Sequence, residues 1–224
     1  MMKKQKVQIL SIEQVTHDVK CFRLQKPEGL TFEPGQAAEI SIDRDGWREE
    51  GRPFTFTCLP DEDFLEFTIK RYPDHQGVTN ELHQLKEGDS LILDDIFDTI
   101  HYRGKGLFIA GGAGVTPFIS IFRDLRQKGE LEGNSLLFGN KTSADIIRKE
   151  EFEEMLGENF INILSDEETD QYRFGLITRE LIVDHITVPG EYIYVCGPPA
   201  MMDQVMEHLS ELEIPEDLIV ADEW

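Results

Sequence analysis

Four short stretches of this chain carry residue types and spacings suited to holding a phosphate or a planar ring. The first is Gly111-Gly112-Ala113-Gly114-Val115-Thr116-Pro117, between an apolar run at 106–110 and a helix-periodic segment at 118–127. Small residues let a pyrophosphate approach the backbone. A helix start adds unpaired N–H groups and the positive end of the helix dipole. Pro117 suits the first helical position. The spacing is GxGxxP rather than GxGxxG, so the common dinucleotide fingerprint is only partly met. A glycine-rich tight turn with no ligand explains this stretch as well. The second is Cys196-Gly197-Pro198-Pro199-Ala200-Met201, which follows an apolar run and precedes a helical segment. That places Cys196 at a strand's carboxyl end, where open α/β sheets bind ligands. Inert packing of a lone cysteine and a stiff Gly-Pro-Pro turn are the plainer explanation.

The third stretch is Arg52-Pro53-Phe54-Thr55-Phe56-Thr57. A cation there suits a phosphate, and an aromatic face suits a planar ring. Strand periodicity puts Arg52 and Phe54 on one side and Thr55 on the other. An ordinary strand with one exposed arginine has the same pattern. The fourth, Gly77-Val78-Thr79-Asn80, opens a short helical segment. Thr79 either caps that helix or helps to hold a second diphosphate.

The elements that must position these residues fall into two rhythms. The first hundred residues read as short strands at 7–12, 19–24, 37–42, 54–58, 64–72 and 90–93, with 54–58 and 64–72 forming a hairpin around Pro60. Such spacing predicts an antiparallel barrel or sandwich. A helix at 79–85 is the exception. From residue 106 strands (106–110, 135–138, 160–164, 192–195, 218–220) alternate with helices (118–127, 149–156, 178–183, 201–212). That alternation predicts a doubly wound parallel α/β sheet. The boundary falls in the polar segment 101–105, giving domains at 1–103 and 104–224.

Composition narrows the functions. The chain has 224 residues, 40% hydrophobic and 29% charged, enough apolar material for packed cores. The net charge of −22 excludes a general nucleic-acid or anionic-membrane surface. Up to residue 104 there are 13 basic and 20 acidic residues, and beyond it 9 and 24, so the second half is the more acidic. Cys21, Cys58 and Cys196 are too few and too scattered for a zinc site, a disulfide framework or a cysteine-ligated cluster, so no metal is expected. No apolar run reaches membrane-spanning length, and Met1-Met2-Lys3-Lys4 does not open a signal peptide. The expectation is a cytoplasmic protein with no membrane insertion.

The order of the four stretches is informative. Together with the Pro34-Gly35-Gln36 turn, it resembles the ferredoxin–NADP reductase family of flavoproteins over nearly the whole chain. The family's pattern is RxYS/T, GxxS/T, GGTGxxP, CGPP and a C-terminal aromatic. The resemblance implies a six-stranded antiparallel barrel for FAD, followed by a five-stranded parallel domain for NAD(P)H. By position, Arg52 would contact the FAD diphosphate, Phe54 would stack on the isoalloxazine and Thr55 would bond near flavin N5. Pro53, Lys70 and Gly77 join this cofactor-binding set, with Val78 and Thr79 on the diphosphate at the helix start. Gly111, Gly112, Gly114, Thr116 and Pro117 would form the pyridine-nucleotide pyrophosphate site. Cys196, Gly197 and Pro198 would line the nicotinamide pocket, and Trp224 would stack on the flavin. Thr55, Cys196 and Trp224 are the residues assigned to the reacting rings. Asp222 is a weaker candidate there, set against plain charge in an acidic tail. Phe54 stands where relatives have Tyr, and Asp94-Asp95-Ile96-Phe97-Asp98 where many have Pro-x-Gly, which leaves the adenine-side contacts open.

The implied reaction is hydride transfer from a nicotinamide to flavin, in which the protein mainly aligns the rings. Ser165-Asp166-Glu167-Glu168 stands where some NADPH-dependent relatives have Ser-Arg. A carboxylate at Asp166 would repel a 2′-phosphate, which favours NADH, while Lys141, Arg148 and Arg173 keep NADPH possible. The implied partner is a small electron carrier, ferredoxin or flavodoxin, or else a small-molecule acceptor. An acidic carrier would need a local basic patch, for which Lys3, Lys4, Lys6, Lys70 and Arg71 are candidates. Two other functions stay open: a flavin reductase or diaphorase, and a non-catalytic NAD(H) sensor.

Overall fold

The computed structural model describes residues 4–72 and 77–221. The chain forms two compact units. Unit 1 is the chain to His101 together with Thr116–Arg123, and unit 2 is Tyr102–Val115 together with the chain from Asp124 onward.

Unit 1 contains β1 (Gln5–Thr16), β2 (Val19–Gln25), β3 (Ala37–Ile42), β4 (Arg52–Thr55), β5 (Phe64–Lys70) and β6 (Ser90–Phe97), with helix α1 at Val78–Leu82. The strands form one sheet in the order β4-β3-β6-β1-β2-β5, antiparallel throughout. Alternation sets the inner face: Val7 and Ile9 are buried while Gln8 and Leu10 face out. Phe56 lies in the core, stacked on Phe32 at 4.0 Å between ring centroids and tilted against Phe67 at 4.9 Å. The two end strands approach just beyond β4, where the Thr57 N–H donates to the Glu66 carbonyl at 2.8 Å.

The expected hairpin of 54–58 with 64–72 is corrected here. The strand starts and ends earlier, at Arg52 and Thr55, and pairs with β3. β5 pairs with β2 at the opposite end of the sheet order. Two apolar runs separated by a polar turn look like a hairpin, but curling the sheet brings the same runs together from its two ends.

β1 and β2 meet in a tight turn at His17-Asp18, with Thr16 paired to Val19. Asp18 accepts from Thr16 Oγ1 at 3.0 Å and lies 3.0 Å from Lys70 Nζ. Burial pushes the Asp18 carboxyl up, but the hydrogen bond and charge of Lys70 outweigh it and hold the group below its ordinary value. A depressed carboxylate stabilises the fold above its unfolded pKa, and that stability is lost as pH falls through the folded value. Acid melts of Asp18→Asn are therefore expected to be flatter than wild type below about pH 4. Parallel acid profiles for the two proteins would contradict the assignment.

Unit 2 is built on β7 (Gly106–Gly111), β8 (Ser135–Asn140), β9 (Phe160–Leu164), β10 (Arg173–Phe174), β11 (Tyr192–Cys196) and β12 (Ile219–Ala221). The order is β10-β9-β8-β7-β11-β12 and every pair is parallel. All six β7 residues are buried, as a strand covered on both faces requires. Helices α2 (Thr116–Lys128), α3 (Lys149–Leu156), α4 (Arg179–His185) and α5 (Pro199–Glu211) alternate with the strands. α4 starts where the Thr178 hydroxyl accepts the Leu181 N–H at 3.2 Å. The five strands implied by the resemblance become six, because two-residue β10 pairs with the end of β9. The chain runs outward from β7 to β10 and returns on β7's other side with β11. The sheet thus reverses direction between β7 and β11, a ligand-binding switch point in open α/β sheets.

Tyr194 on β11 is fully buried and stacks on Phe108 at 4.2 Å. Its hydroxyl accepts from the N–H groups of Arg103 (2.9 Å) and Gly104 (3.0 Å) and donates to the Gly104 carbonyl at 2.7 Å. These bonds pin the chain segment that leads into β7. Burial pushes the Tyr194 hydroxyl up to about 12. Tyr194→Phe leaves those backbone groups without a partner and is expected to cost about 1–3 kcal/mol in urea unfolding. A raised pKa also means that stability present below pH 10 falls as pH climbs toward 12, and the variant loses that slope. A neutral substitution would contradict this role.

Candidate functional site

The site residues of unit 1 fall on β4, at the end of β5, at the start of α1 and, with Thr116 and Pro117, at the start of α2; those of unit 2 fall on two adjacent turns and in the loop after β9. On β4, Thr55 and Phe54 sit opposite Ala37 and Ala38 of β3. Phe54 is half-buried and packs against the core of unit 1, while Thr55 is buried. β4 ends the sheet order, which suits Pro53, a residue with no N–H for a further ladder. The Arg52 side chain is exposed, and among the described residues its guanidinium donates to the Gly51 carbonyl at 2.6 Å and lies 3.6 Å from Glu50. Lys70 ends β5 in its ion pair with Asp18.

Helix α1 begins one residue earlier than expected. Gly77 is its N-cap, so Thr79 is the second helical residue and not the cap. Val78 and Leu82 anchor the helix in the core, and the amides of Asn80 and Glu81 both return to the Gly77 carbonyl. His83 closes it, with Nε2 2.8 Å from the Ile69 carbonyl and its own carbonyl accepting from Lys20 Nζ at 2.8 Å. Burial lowers the His83 pKa and keeps the ring neutral near pH 7. The guanidinium of Arg52, the hydroxyls of Thr55 and Thr79 and the amides of Val78 and Thr79 at the start of α1 are donors of the kind that a diphosphate and a flavin edge accept. A Cβ on Gly77 would meet nothing within 4 Å, so the approach is open. These residues fit FAD.

In unit 2, β7 ends at Gly111 and β11 at Cys196, side by side at the switch point. A Cβ on Gly114 would land on the carbonyl oxygen of Cys196 and lie 2.7 Å from Gly197 Cα. One on Gly111 would come within 2.9 Å of Pro198 Cδ. At Gly114 the two turns are therefore packed backbone to backbone and only glycine fits, while Gly111 is closed in by the Pro198 and Met201 side chains. Gly112 is different. It has φ +50° and a Cβ there would face open space. Residues 112–115 form a single 3-10 turn, and α2 follows with Pro117 second in the helix rather than first. The Cys196 side chain is fully buried.

Beyond β9, the Asp166 N–H donates to the Lys141 carbonyl at 2.9 Å, and Ser165 Oγ donates to Asp166 Oδ1 at 2.7 Å. The loops after β8 and β9 are thereby tied, with the Asp166 side chain exposed. Glu167 turns back onto the Ser143 N–H, which holds its carboxyl below the ordinary range. Arg148 sits at the start of α3 with φ +52°, 4.0 Å from Glu151. Asp222 and Trp224 lie outside the described residues.

Two residues of interest escaped the sequence reading. Asn140, at the carboxyl end of β8, is buried, and neither polar atom of its side-chain amide has a hydrogen-bond partner among the described residues. A polar residue ending the apolar run Ser135–Asn140 was the available signal. An unsatisfied amide beside an open glycine turn fits a bound dinucleotide. The other is Glu66, a carboxylate inside the apolar run of β5 and 1% exposed.

An antiparallel unit followed by a parallel unit with two turns packed together at its switch point is an architecture suited to binding a flavin and a pyridine nucleotide. Two family models match in tandem: an oxidoreductase FAD-binding domain over residues 6–94 and an oxidoreductase NAD-binding domain over residues 108–207. The chain belongs to the ferredoxin reductase-like family and is an FAD-dependent NAD(P)H oxidoreductase. It is 27% identical over 223 residues to the ferredoxin–NAD(P)+ reductase component of the naphthalene 1,2-dioxygenase system of Pseudomonas putida, covering 96% of this chain and 67% of that protein. It is 26% identical to NADH-cytochrome b5 reductase 3 of Rattus norvegicus, covering 88% of this chain and 78% of that one. In fold it matches a ferredoxin NADP+ reductase from Neisseria gonorrhoeae, solved with FAD and NADP, at a TM-score of 0.85 and 16% identity over 99% of both chains. Among the described residues, no helix is long and apolar enough to cross a membrane.

Proposed function

We propose that this chain draws electrons from NADH in preference to NADPH and passes them, through FAD, to a small electron-carrier protein of the ferredoxin or flavodoxin type. The observation that carries the nucleotide half is the Asp166 loop. An exposed carboxylate held by its backbone to the neighbouring strand's loop repels a 2′-phosphate and accepts from a ribose hydroxyl. The carrier is supported by the name of the naphthalene dioxygenase relative, a reductase component in a ferredoxin system.

FAD, when bound, supplies a two-electron acceptor that can release electrons singly. The chain's own residues orient and exclude. Arg52, Lys70, Gly77, Val78 and Thr79 hold the diphosphate side; Phe54 packs the ring, Thr55 donates at the ring edge and Pro53 stiffens the strand between them. Gly111, Gly112, Gly114, Thr116 and Pro117 hold the dinucleotide pyrophosphate, with Asn140 beside them. Cys196, Gly197 and Pro198 wall the nicotinamide. Residues 1–103 act as the FAD domain and 104–224 as the NAD(P) domain. A cytoplasmic location is in keeping with three buried cysteines that form no disulfide among the described residues.

Asp166→Ser tests the reading. It is expected to raise NADPH relative to NADH in kcat/KM by about tenfold, the equivalent of about 1.4 kcal/mol. An unchanged ratio, or wild type already preferring NADPH, would remove Asp166 from the site.

A further inference from the structure

Glu66 is a carboxylate in an apolar strand, and burying such a charge is costly unless partners surround it. Its Oε2 accepts from Arg23 Nε at 3.1 Å. Its Oε1 accepts from Arg123 Nη1 at 2.7 Å and from Thr57 Oγ1 at 3.0 Å. Arg123 Nη1 also donates to the Thr57 carbonyl at 2.6 Å, and the Thr57 N–H donates to the Glu66 carbonyl at 2.8 Å. Thr57 is thus held through its amide, carbonyl and hydroxyl, two residues beyond Thr55.

Arg123 lies in the second turn of α2, whose first two turns belong to unit 1. Three residues earlier, the buried Ser120 Oγ accepts the Gly35 N–H at 3.1 Å. Gly35 has φ +91°, and a Cβ on it would strike the Ile100 carbonyl. Two points therefore fix the start of α2, one at the Pro34-Gly35-Gln36 turn and one at Glu66–Thr57. Thr116 and Pro117 open that helix. Directional bonds of this kind fix a register, where apolar packing of the same volume would hold the helix without fixing it as tightly.

We propose that Glu66 and Arg123 are a positioning pair for hydride transfer. They set the register of the α2 start against the strand segment carrying Thr55, and touch neither cofactor themselves. This rests on the function proposed above.

The test uses the full chain loaded with FAD, in anaerobic stopped flow with NADH and with C4-deuterated NADH. In Glu66→Gln the limiting rate of flavin bleaching is expected to fall roughly 10–100-fold, the scale of an ångström-sized misplacement. The NADH concentration for half-maximal rate changes little, and the deuterium isotope effect shifts from wild type. The apolar pair Glu66→Leu/Arg123→Met is expected to regain the wild-type melting temperature but not the rate. A wild-type rate and isotope effect in Glu66→Gln would overturn the proposal, as would recovery of rate together with melting temperature in the apolar pair. If Glu66→Gln does not retain FAD, Arg123→Lys, which keeps the charge and loses the planar fork, is read by the same outcomes. Loss of FAD from that variant as well would make the pair part of the flavin scaffold and overturn the proposal. Failure of NADH to bleach the wild-type protein would sink the proposed function and this inference together. Bleached wild type with an unaffected Glu66→Gln would sink this inference alone.

Discussion

Gly114→Ala is expected to lower the rate of NADH-driven flavin bleaching by about 100-fold or more while leaving the FAD content intact. The added methyl would sit on the Cys196 carbonyl and against Gly197 Cα, both backbone. Backbone cannot swing aside like the end of a side chain, so the two turns at the switch point must part. Such overpacking costs roughly 1–3 kcal/mol, and it moves both proposed nicotinamide-side turns. The residues proposed for FAD lie on β4, β5 and α1 and do not feel the change directly. Gly112→Ala is the control. It meets open space and carries only the strain of its positive φ, about 1–2 kcal/mol. Equal rates in Gly114→Ala and wild type would mean that the packed turns do not hold the nucleotide.

Arg123→Ala is expected to destabilise the protein by about 2–4 kcal/mol, because it strips the closest cation from the buried Glu66 carboxylate. Glu66 would keep the Arg23 and Thr57 contacts, but Arg23 is half exposed and cannot replace the largely covered guanidinium of Arg123. The Thr57 carbonyl would lose its bond from Arg123 at the same time. Urea unfolding followed by intrinsic fluorescence reads the loss directly. A change below about 1 kcal/mol would place the pair among ordinary surface ion pairs.

Much of the architecture is legible in the chain because periodicity is a local property. The runs at 149–156 and 160–164 match α3 and β9 residue for residue. The alternation of strand and helix after residue 106 is enough to predict a parallel sheet. Two-residue β10 is illegible for the same reason: Arg173-Phe174 is too short to carry a period and exists only because β9 offers an edge. The false hairpin of 54–58 with 64–72 shows the other limit, since adjacency in sequence does not say which end of a curled sheet a strand joins.

The site divides in the same way. Gly111 to Pro117 and Cys196 to Met201 could be recognised as turns between strand and helix, but each alone had a plain explanation without a ligand. Their contact through Gly114 and Cys196 is a long-range fact that no spacing contains. Thr79 looked like a cap because threonine often is one; the extended backbone of Gly77 takes that place instead. Glu66 was hidden by its neighbours, as Phe64, Leu65 and Phe67 mark a strand whatever stands among them. Tyr194 was read only as part of a strand, since its three backbone partners at Arg103 and Gly104 are about ninety residues away.

The most direct measurement is the visible flavin band of the FAD-loaded protein during anaerobic addition of NADH, with NADPH in parallel. Rapid bleaching by NADH and much slower bleaching by NADPH is the predicted result. A chain that takes up no FAD, or holds FAD that neither nucleotide bleaches, would contradict the proposed function at its root.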